Sequence, residues 1–314
     1  MKLSLKQLLK KKPFLLAPMD DVTDIAFREL CEEKGAAYST TELVSVEALI
    51  RDKVFKSRFE RGNLKINCVQ LFGSKPQSFV EAAMKVETQA DILDVNFGCP
   101  STCVTRNDSG SMLLKDPKNV GRIIEKLVKN TTYPVTAKIR LGYTKTTYNE
   151  VAREIEDAGA ELLTVHGRTA KQKYSGHADW NAIKELHEQC RIPIVGNGDV
   201  RTVQDINKYL GSHANALMIG RAAIGNPNIF TEFNTYLKDR ELERIPPEKK
   251  KKEQKLLFIQ YLKKLEKHNF YNVKIKIQRQ ASWFFRGITG AKELRIGLQK
   301  TNNIEEILKL INNF

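Results

Sequence analysis

An apolar run ends on a thiol at Cys99, inside DVNFGCP (94–100), and Pro100 restricts the backbone directly after it. Other side chains able to bind a ligand or move a proton stand in comparable places, at the ends of short apolar segments. They are Ala17-Pro18-Met19, Gln70, Asn96, Lys138 with Arg140, His166, Asn197-Gly198-Asp199 and Gly220-Arg221. The turns IVGNGDV and MIGRAAIGNP are of the glycine-rich kind whose backbone amides can cradle a phosphate. A second cysteine, Cys103, follows Cys99 by four positions, a spacing open to a metal or a redox pair. No further cysteine lies at ligand spacing, so no metal is expected.

These residues need a scaffold that brings segment ends together. Eight β-branched or apolar segments recur along the chain: PFLLAPM (13–19), YSTTEL (38–43), INCVQLFG (66–73), ILDVNFG (92–98), VTAKIRLG (135–142), LLTVHG (162–167), IPIVGNG (192–198) and ALMIG (216–220). Amphipathic stretches such as TDIAFRELCEEKG, PQSFVEAAMKVE, NVGRIIEKLVKN, TYNEVAREIEDAG and TVQDINKYLG lie between them, several opened by Thr or Asp and closed by Gly. Eightfold strand and helix alternation predicts a parallel (β/α)8 TIM barrel, whose strands are buried on both faces, with the second unit the weakest. In such a barrel the polar segment ends converge on one rim. The loops after the seventh and eighth strands are where barrels commonly hold a phosphate, so a phosphorylated cofactor or substrate is expected there.

The pattern changes after about Phe233. LKDRELERIPPEKKKKEQ leads into KLLFIQYLKKLEKHNF, NVKIKIQRQASWFFRGI and NNIEEILKLINNF, which carry helical periodicity. The expected organisation is a barrel over 1–235 and a small C-terminal helical domain over 236–314, joined at Ile245-Pro246-Pro247 with few contacts crossing. The formal net charge is +15, and residues 236–314 hold 19 Lys or Arg against 9 Asp or Glu, a local excess of +10. Such a surface is either a solvated helical face or a grip for a polyanion. Five cysteines in no paired spacing point to reduced thiols. No apolar run of membrane-spanning length occurs and the lysine-rich N-terminus lacks the order of a secretory signal, so a cytoplasmic protein is expected, with no membrane and no protein partner implied.

In order and spacing, LAPMDDVTDIAFR, VQLFG, DVNFGCP with GSMLL, VTAKIRLG, LTVHGRTAKQKYSG with ADW, IPIVGNGDV and LMIGRAAIGNP resemble the motifs of the tRNA-dihydrouridine synthases. The resemblance runs from about Pro13 to Phe230 and resumes at RQASWFFRGITGAKELR. It implies FMN as cofactor, NADPH as electron donor and tRNA as substrate. NADPH would reduce the flavin, and a hydride would then pass to carbon 6 of a uridine while Cys99 protonates carbon 5. A thiol with a pKa near 8.5 suits that task at neutral pH. By the same resemblance Gln70, Lys138 and His166 contact the isoalloxazine, Pro18 and Met19 pack against it beside Ala17, and Asn197, Gly198, Asp199, Gly220 and Arg221 form the phosphate and ribityl end. Asn96 and Arg140 would face the uracil, with Arg168 and Lys171 near the RNA. The family usually has Lys or Arg where this chain has Cys103, so an RNA contact in that loop is lost or replaced.

A uridine in folded tRNA must leave its stack before a flavin can lie over it, and a basic tail supplies a grip on overall shape. Lys274, Lys276, Arg279, Arg286 and Arg295 are expected against phosphates, with Trp283 in the helical core. Two other readings remain open from the sequence: a small-molecule FMN oxidoreductase of the dihydroorotate or dihydropyrimidine dehydrogenase type, which needs no cationic tail, and a non-catalytic RNA-binding barrel.

Overall fold

Aliphatic and β-branched runs form the parallel strands β1 (Phe14–Leu16), β2 (Ser39–Thr40), β3 (Val44–Ser45), β4 (Asn67–Phe72), β5 (Ile92–Phe97), β6 (Val135–Arg140), β7 (Leu162–His166), β8 (Ile194–Asn197) and β9 (Ala216–Ile219). The structure is a computed structural model that describes residues 4–54, 56–241, 246–268, 273–301 and 304–314. β1 pairs with both β2 and β9, and β2 pairs with β4, so eight strands close into a (β/α)8 barrel while β3 adds a short extra pairing on β4. Of the expected second strand over 38–43 only Ser39–Thr40 is formed, and β3 begins just after its end. The Gln70 amide donates to Thr41 Oγ1 at 2.9 Å instead of to a backbone carbonyl, which interrupts the ladder between β2 and β3.

The helices are α1 (Leu5–Lys11), α2 (Ile25–Glu33), α3 (Val46–Ile50), α4 (Pro76–Lys85), α5 (Thr102–Thr105), α6 (Pro117–Asn130), α7 (Tyr148–Asp157), α8 (Trp180–Gln189), α9 (Val203–Tyr209), α10 (Ile229–Asp239), α11 (Pro247–Lys267), α12 (Val273–Phe284), α13 (Ala291–Lys300) and α14 (Ile304–Asn313). Alternation along the strands divides them between two cores. Leu15, Tyr38, Ile92, Leu162 and Ala216 fill the barrel interior, whereas Phe14, Leu16, Leu93 and Val95 pack outward against the helices. Leu5 and Leu9, one turn apart on α1, join the interior cluster beside the first residues of β5, β7 and β9. The N-terminal helix therefore closes the end of the barrel opposite the strand carboxyl ends.

α10 runs across the expected boundary at 235 and ends at Asp239. Beyond it, α11 and α12 lie on α2, and the contacts are many where few were expected. Tyr261 Oη donates to Asp24 Oδ2 at 2.9 Å, while Asp24 Oδ1 caps α2 through the Phe27 amide at 2.9 Å. Lys264 bridges Glu29 and Glu33, and His268 Nε2 lies 2.9 Å from Glu29 Oε1. Burial alone would raise Glu29, but His268, the Asn63 amide and Lys264 hold it down at about 2. The rings of Phe27 and Phe284 meet edge to face at 6.3 Å. Of the joining segment, Ile245 lies outside the described residues and Pro246-Pro247 opens α11. Trp283 is half-buried against the core, as expected.

Candidate active site

The strand register places the polar ends side by side: Gln70 opposite Asp94, Asn96 opposite Lys138, Arg140 opposite His166, and His166 opposite Asn197. They surround a cavity of about 740 Å³ at the carboxyl ends of the strands. Cys99, Asn96, Arg140 and all eleven residues expected on the cofactor side, from Ala17 to Arg221, line it. Arg168 and Lys171 do not.

One wall is a hydrogen-bonded chain that ends at the thiol. Thr136 Oγ1 donates to Asp94 Oδ1 at 2.5 Å, and Gln70 Nε2 to Asp94 Oδ2 at 2.6 Å. Asn96 Nδ2 donates to Gln70 Oε1 at 2.8 Å, and Asn96 Oδ1 accepts from the Gly98 and Cys99 amides at 3.1 and 2.9 Å. Asn96 is thus a positioning residue for the Cys99 turn. From the other side, Ser111 N donates to the Cys99 carbonyl at 3.1 Å. Gly110, at φ 59°, has no room for a Cβ, which would stand 2.9 Å from that same carbonyl. Burial raises the Cys99 thiol above its ordinary value even though Arg140 and Lys138 pull the other way, so it stays protonated at neutral pH. Burial also raises Asp94, against the bonds from Gln70 and Thr136. The sequence reading did not include Asp94; its signal was an acid in the middle of an apolar strand. Asp91, just before β5, accepts from the Asn67 amide at 2.8 Å and from Arg61 at 2.6 Å, outside the site.

The adjoining wall is cationic. Lys138 Nζ donates to Asn197 Oδ1 at 3.2 Å, and burial, then the charge of Arg140, brings its ammonium down to about 8. Burial and the cations Lys138, Arg140, Arg168 and Arg221 keep His166 neutral. Its Nε2 lies 3.4 Å from Arg168 Nη1, which can only donate, so the ring proton belongs on Nδ1. Asn197 Nδ2 donates to the Met218 carbonyl at 2.8 Å, tying β8 to β9. Gly198 has φ 123°, and a Cβ there would come within 2.7 Å of Ala178 Cβ. Trp180 fills the space beside Gly196 and donates to the Gly198 carbonyl at 3.1 Å, a support for the glycine turn that sequence reading missed.

Two expectations about charge change here. Asp199 was placed at the phosphate end, but its carboxylate faces Arg168 at 2.6 Å and Arg221 at 3.0 Å. Burial would raise it; the Ala178 amide and Arg168 outweigh that and hold it below its usual range. A carboxylate repels phosphate, so Asp199 is suited to setting the two arginines and not to meeting an anion itself. Arg168 was placed near the RNA, yet it is 1% exposed and its guanidinium also donates to the carbonyls of Ser175 and Gly176 at 3.1 and 2.6 Å. It holds the β7–α8 loop from inside and has no surface to offer a macromolecule. Arg140, 4% exposed, donates to the carbonyls of Thr169 and Lys173 at 3.0 and 2.8 Å in the same loop.

In the tail, Arg286 is exposed, Arg295 is half-buried, and Arg279 pairs with Asp21 at 2.6 Å while 41% exposed. Lys274 and Lys276 fall in the first turns of α12, and their side chains lie outside the described residues. Lys171 is exposed on the β7–α8 loop. Among the described residues no three His, Cys, Asp or Glu side chains converge as a metal-binding group, and no helix is long and apolar enough to cross a membrane.

A half-buried proton donor beside a cationic wall, with glycine turns and arginines beyond it, can protonate one atom of a flat ligand while negative charge is stabilised next to it. Comparison with known proteins gives this arrangement a family. The dihydrouridine synthase family model matches residues 15–313. The chain is 35% identical over 297 residues to a probable tRNA-dihydrouridine synthase of Rickettsia conorii, covering 92% of this chain and 89% of that one. It is 33% identical over 313 residues to a probable tRNA-dihydrouridine synthase of Aquifex aeolicus, covering 96% of each, and 35% identical over 289 residues to tRNA-dihydrouridine synthase B of Pasteurella multocida, covering 88% and 85%. On the family match along nearly its whole length and on these relatives, the chain belongs to the dihydrouridine synthases, flavin-dependent oxidoreductases that act on tRNA uridine.

Proposed function

We propose that this protein reduces the carbon 5–carbon 6 double bond of uridines in tRNA, with FMN as the bound flavin and NADPH as the electron donor, and that it works in the cytoplasm. The observation that carries the reading is Cys99: a thiol fixed at the cavity by the Asn96 carbonyl and kept protonated by burial. The residues present fit FMN. Ala17, Pro18, Met19 and Met218 offer an apolar bed for a tricyclic ring, and Lys138 with neutral His166 offers a polar edge. A Cβ on Gly220 would point toward Ala17 and Met19 without touching backbone, so this glycine leaves open cavity rather than filling a packed corner. Arg221 and the amides around Gly198 and Gly220 suit the phosphate.

Bound there, FMN supplies the hydride that carbon 6 receives, itself drawn from NADPH. The protein's own part is proton delivery and charge placement. Cys99 gives its S–H proton to carbon 5, and the thiolate left behind is stabilised by Arg140 and Lys138, whose charges already act on it. With flavin bound, Lys138 would supply an ammonium suited to stabilising negative charge on the ring. The exposed cations of the tail and of Lys171 hold the tRNA backbone.

The test uses purified holoprotein, NADPH and an unmodified tRNA transcript, with dihydrouridine read by mass spectrometry. Cys99→Ala is expected to retain flavin and its reduction by NADPH while losing roughly two to four orders of magnitude in transfer to tRNA. Turnover of free pyrimidines with none on tRNA would instead favour the small-molecule reading.

A further inference from the structure

Asp94 stands on β5 behind the cavity wall, 5% exposed and not among the residues that border the cavity. A carboxyl group buried inside a barrel is costly, and the mechanism above gives it no task. The hydrogen-bonded chain that begins at Asp94 has a direction, and both of its ends fix that direction. At the thiol end the Gly98 and Cys99 amides can only donate, so Asn96 must turn its oxygen to them, at 3.1 and 2.9 Å. The Asn96 nitrogen then faces Gln70, whose oxygen receives it at 2.8 Å, and the Gln70 nitrogen is left to face Asp94 Oδ2 at 2.6 Å. A carboxylate at that end can only accept. Burial favours the protonated carboxyl, against the bonds from Gln70 and Thr136 and the charge of Lys138. Even then a proton on Oδ1, toward Thr136 Oγ1, leaves Oδ2 as an acceptor.

A carboxamide turned end for end fills the same space, so packing does not choose between the two orientations of Gln70 and Asn96; hydrogen-bond polarity does. With both reversed, Asn96 would point its nitrogen at two amide protons, and the Cys99 turn would lose both bonds that hold it. We propose that Asp94 is a positioning residue that fixes the direction of this chain and thereby holds Cys99 where its proton is delivered. Asp94 acts through Gln70 and Asn96 and itself reaches neither flavin nor uracil. Proton supply to the thiol is not its task, because the chain ends on the backbone amides of Gly98 and Cys99 and not on the sulfur. This inference rests on the reading of Cys99 as the proton donor given above.

The experiment compares wild-type holoprotein with Asp94→Asn, Thr136→Val, the two combined, and Asp94→Leu. Thr136→Val leaves the carboxylate, so the direction is kept. Asp94→Asn still offers Gln70 an oxygen, because the Thr136 hydroxyl can accept from the new nitrogen. In the combined variant that acceptor is gone, the new nitrogen turns to Gln70, and the chain reverses. Asp94→Leu accepts in no orientation. Dihydrouridine formed in a single turnover by dithionite-reduced holoprotein, per bound flavin, is measured beside Kd for the same tRNA transcript. Each of the first two variants is expected to lose less than roughly tenfold in rate, whereas the combined variant and Asp94→Leu lose roughly a hundredfold or more, with Kd at the wild-type level. Losses that merely multiply in the combined variant overturn the proposal. So does Asp94→Asn alone losing as much as Asp94→Leu, since charge and not direction would then matter, or Asp94→Leu reacting at the wild-type rate, or a defect that lies in Kd. Reduced wild-type holoprotein that forms no dihydrouridine in tRNA would overturn the reading of Cys99 itself, a distinct result.

Discussion

The proton on Cys99 and the charge on Lys138 are set by the same physical agent acting in opposite directions. Burial favours the neutral form of each, which keeps the thiol protonated and brings the ammonium down to about 8. Lys138 therefore carries its charge below that value and loses it above. The rate of flavin reduction by NADPH is expected to hold level on the acid side and fall as pH rises through about 8. Lys138→Met should lower the plateau and remove that alkaline limb, which stopped-flow absorbance across pH would show. Both residues were legible in the sequence because each lies within a long motif. Asp94 was visible only as an odd acid in an apolar strand. Its part depends on Gln70 from β4 and Thr136 from β6 arriving within hydrogen-bond reach, a relation between strands that no local pattern carries. Arg168 shows the converse: a cation beside a conspicuous motif reads as a ligand contact until its burial is known.

Among the elements, the loop after β9 depends on the tail. Gly225, at φ 69°, lies against α12 so closely that a Cβ would stand 2.4 Å from the Trp283 carbonyl carbon and 2.5 Å from its oxygen. Gln280, also on α12, donates to the Val22 carbonyl at 3.2 Å, within the loop after β1. Residues from both loops line the cavity. Gly225→Ala combines a backbone clash with a left-handed conformation, and is expected to cost roughly 1–3 kcal/mol of stability and to weaken flavin retention. Denaturant melts with flavin fluorescence as a second probe would record both. The strands and the long helices could be read from apolar periodicity because burial on one or both faces writes itself into the sequence. The split between β2 and β3 could not, since it comes from the Thr41 hydroxyl taking the Gln70 amide. α1 carried a legible signal in Ser4 before leucines at helical spacing, although its lysines drew attention to charge instead.

For the molecule as a whole, the excess of +10 in residues 236–314 was countable from the sequence, but the docking of that segment was not. Docking is made by Tyr261, Phe284 and Gln280 meeting Asp24, Phe27 and Val22, residues more than two hundred positions apart. A chain ending at Asp239 would leave that face of α2 bare. It is expected to melt far below the full chain, to bind hydrophobic dyes and to lose flavin; equal melting and equal flavin content would refute the buttressing role. In the intact protein, tRNA affinity should fall steeply with salt, log affinity against log salt steepening by roughly 0.7–0.9 for each phosphate contacted. Binding titrations over a salt series measure that slope. Leu5 and Leu9 bear on kinetics from the far end. With α1 sealing the barrel floor, the proposed reading has the nicotinamide and the uracil share the entrance at the strand carboxyl ends, so that oxidised dinucleotide would depart before RNA enters. Initial rates against NADPH at several tRNA concentrations should therefore give parallel double-reciprocal lines, and each substrate at high concentration should obstruct the other.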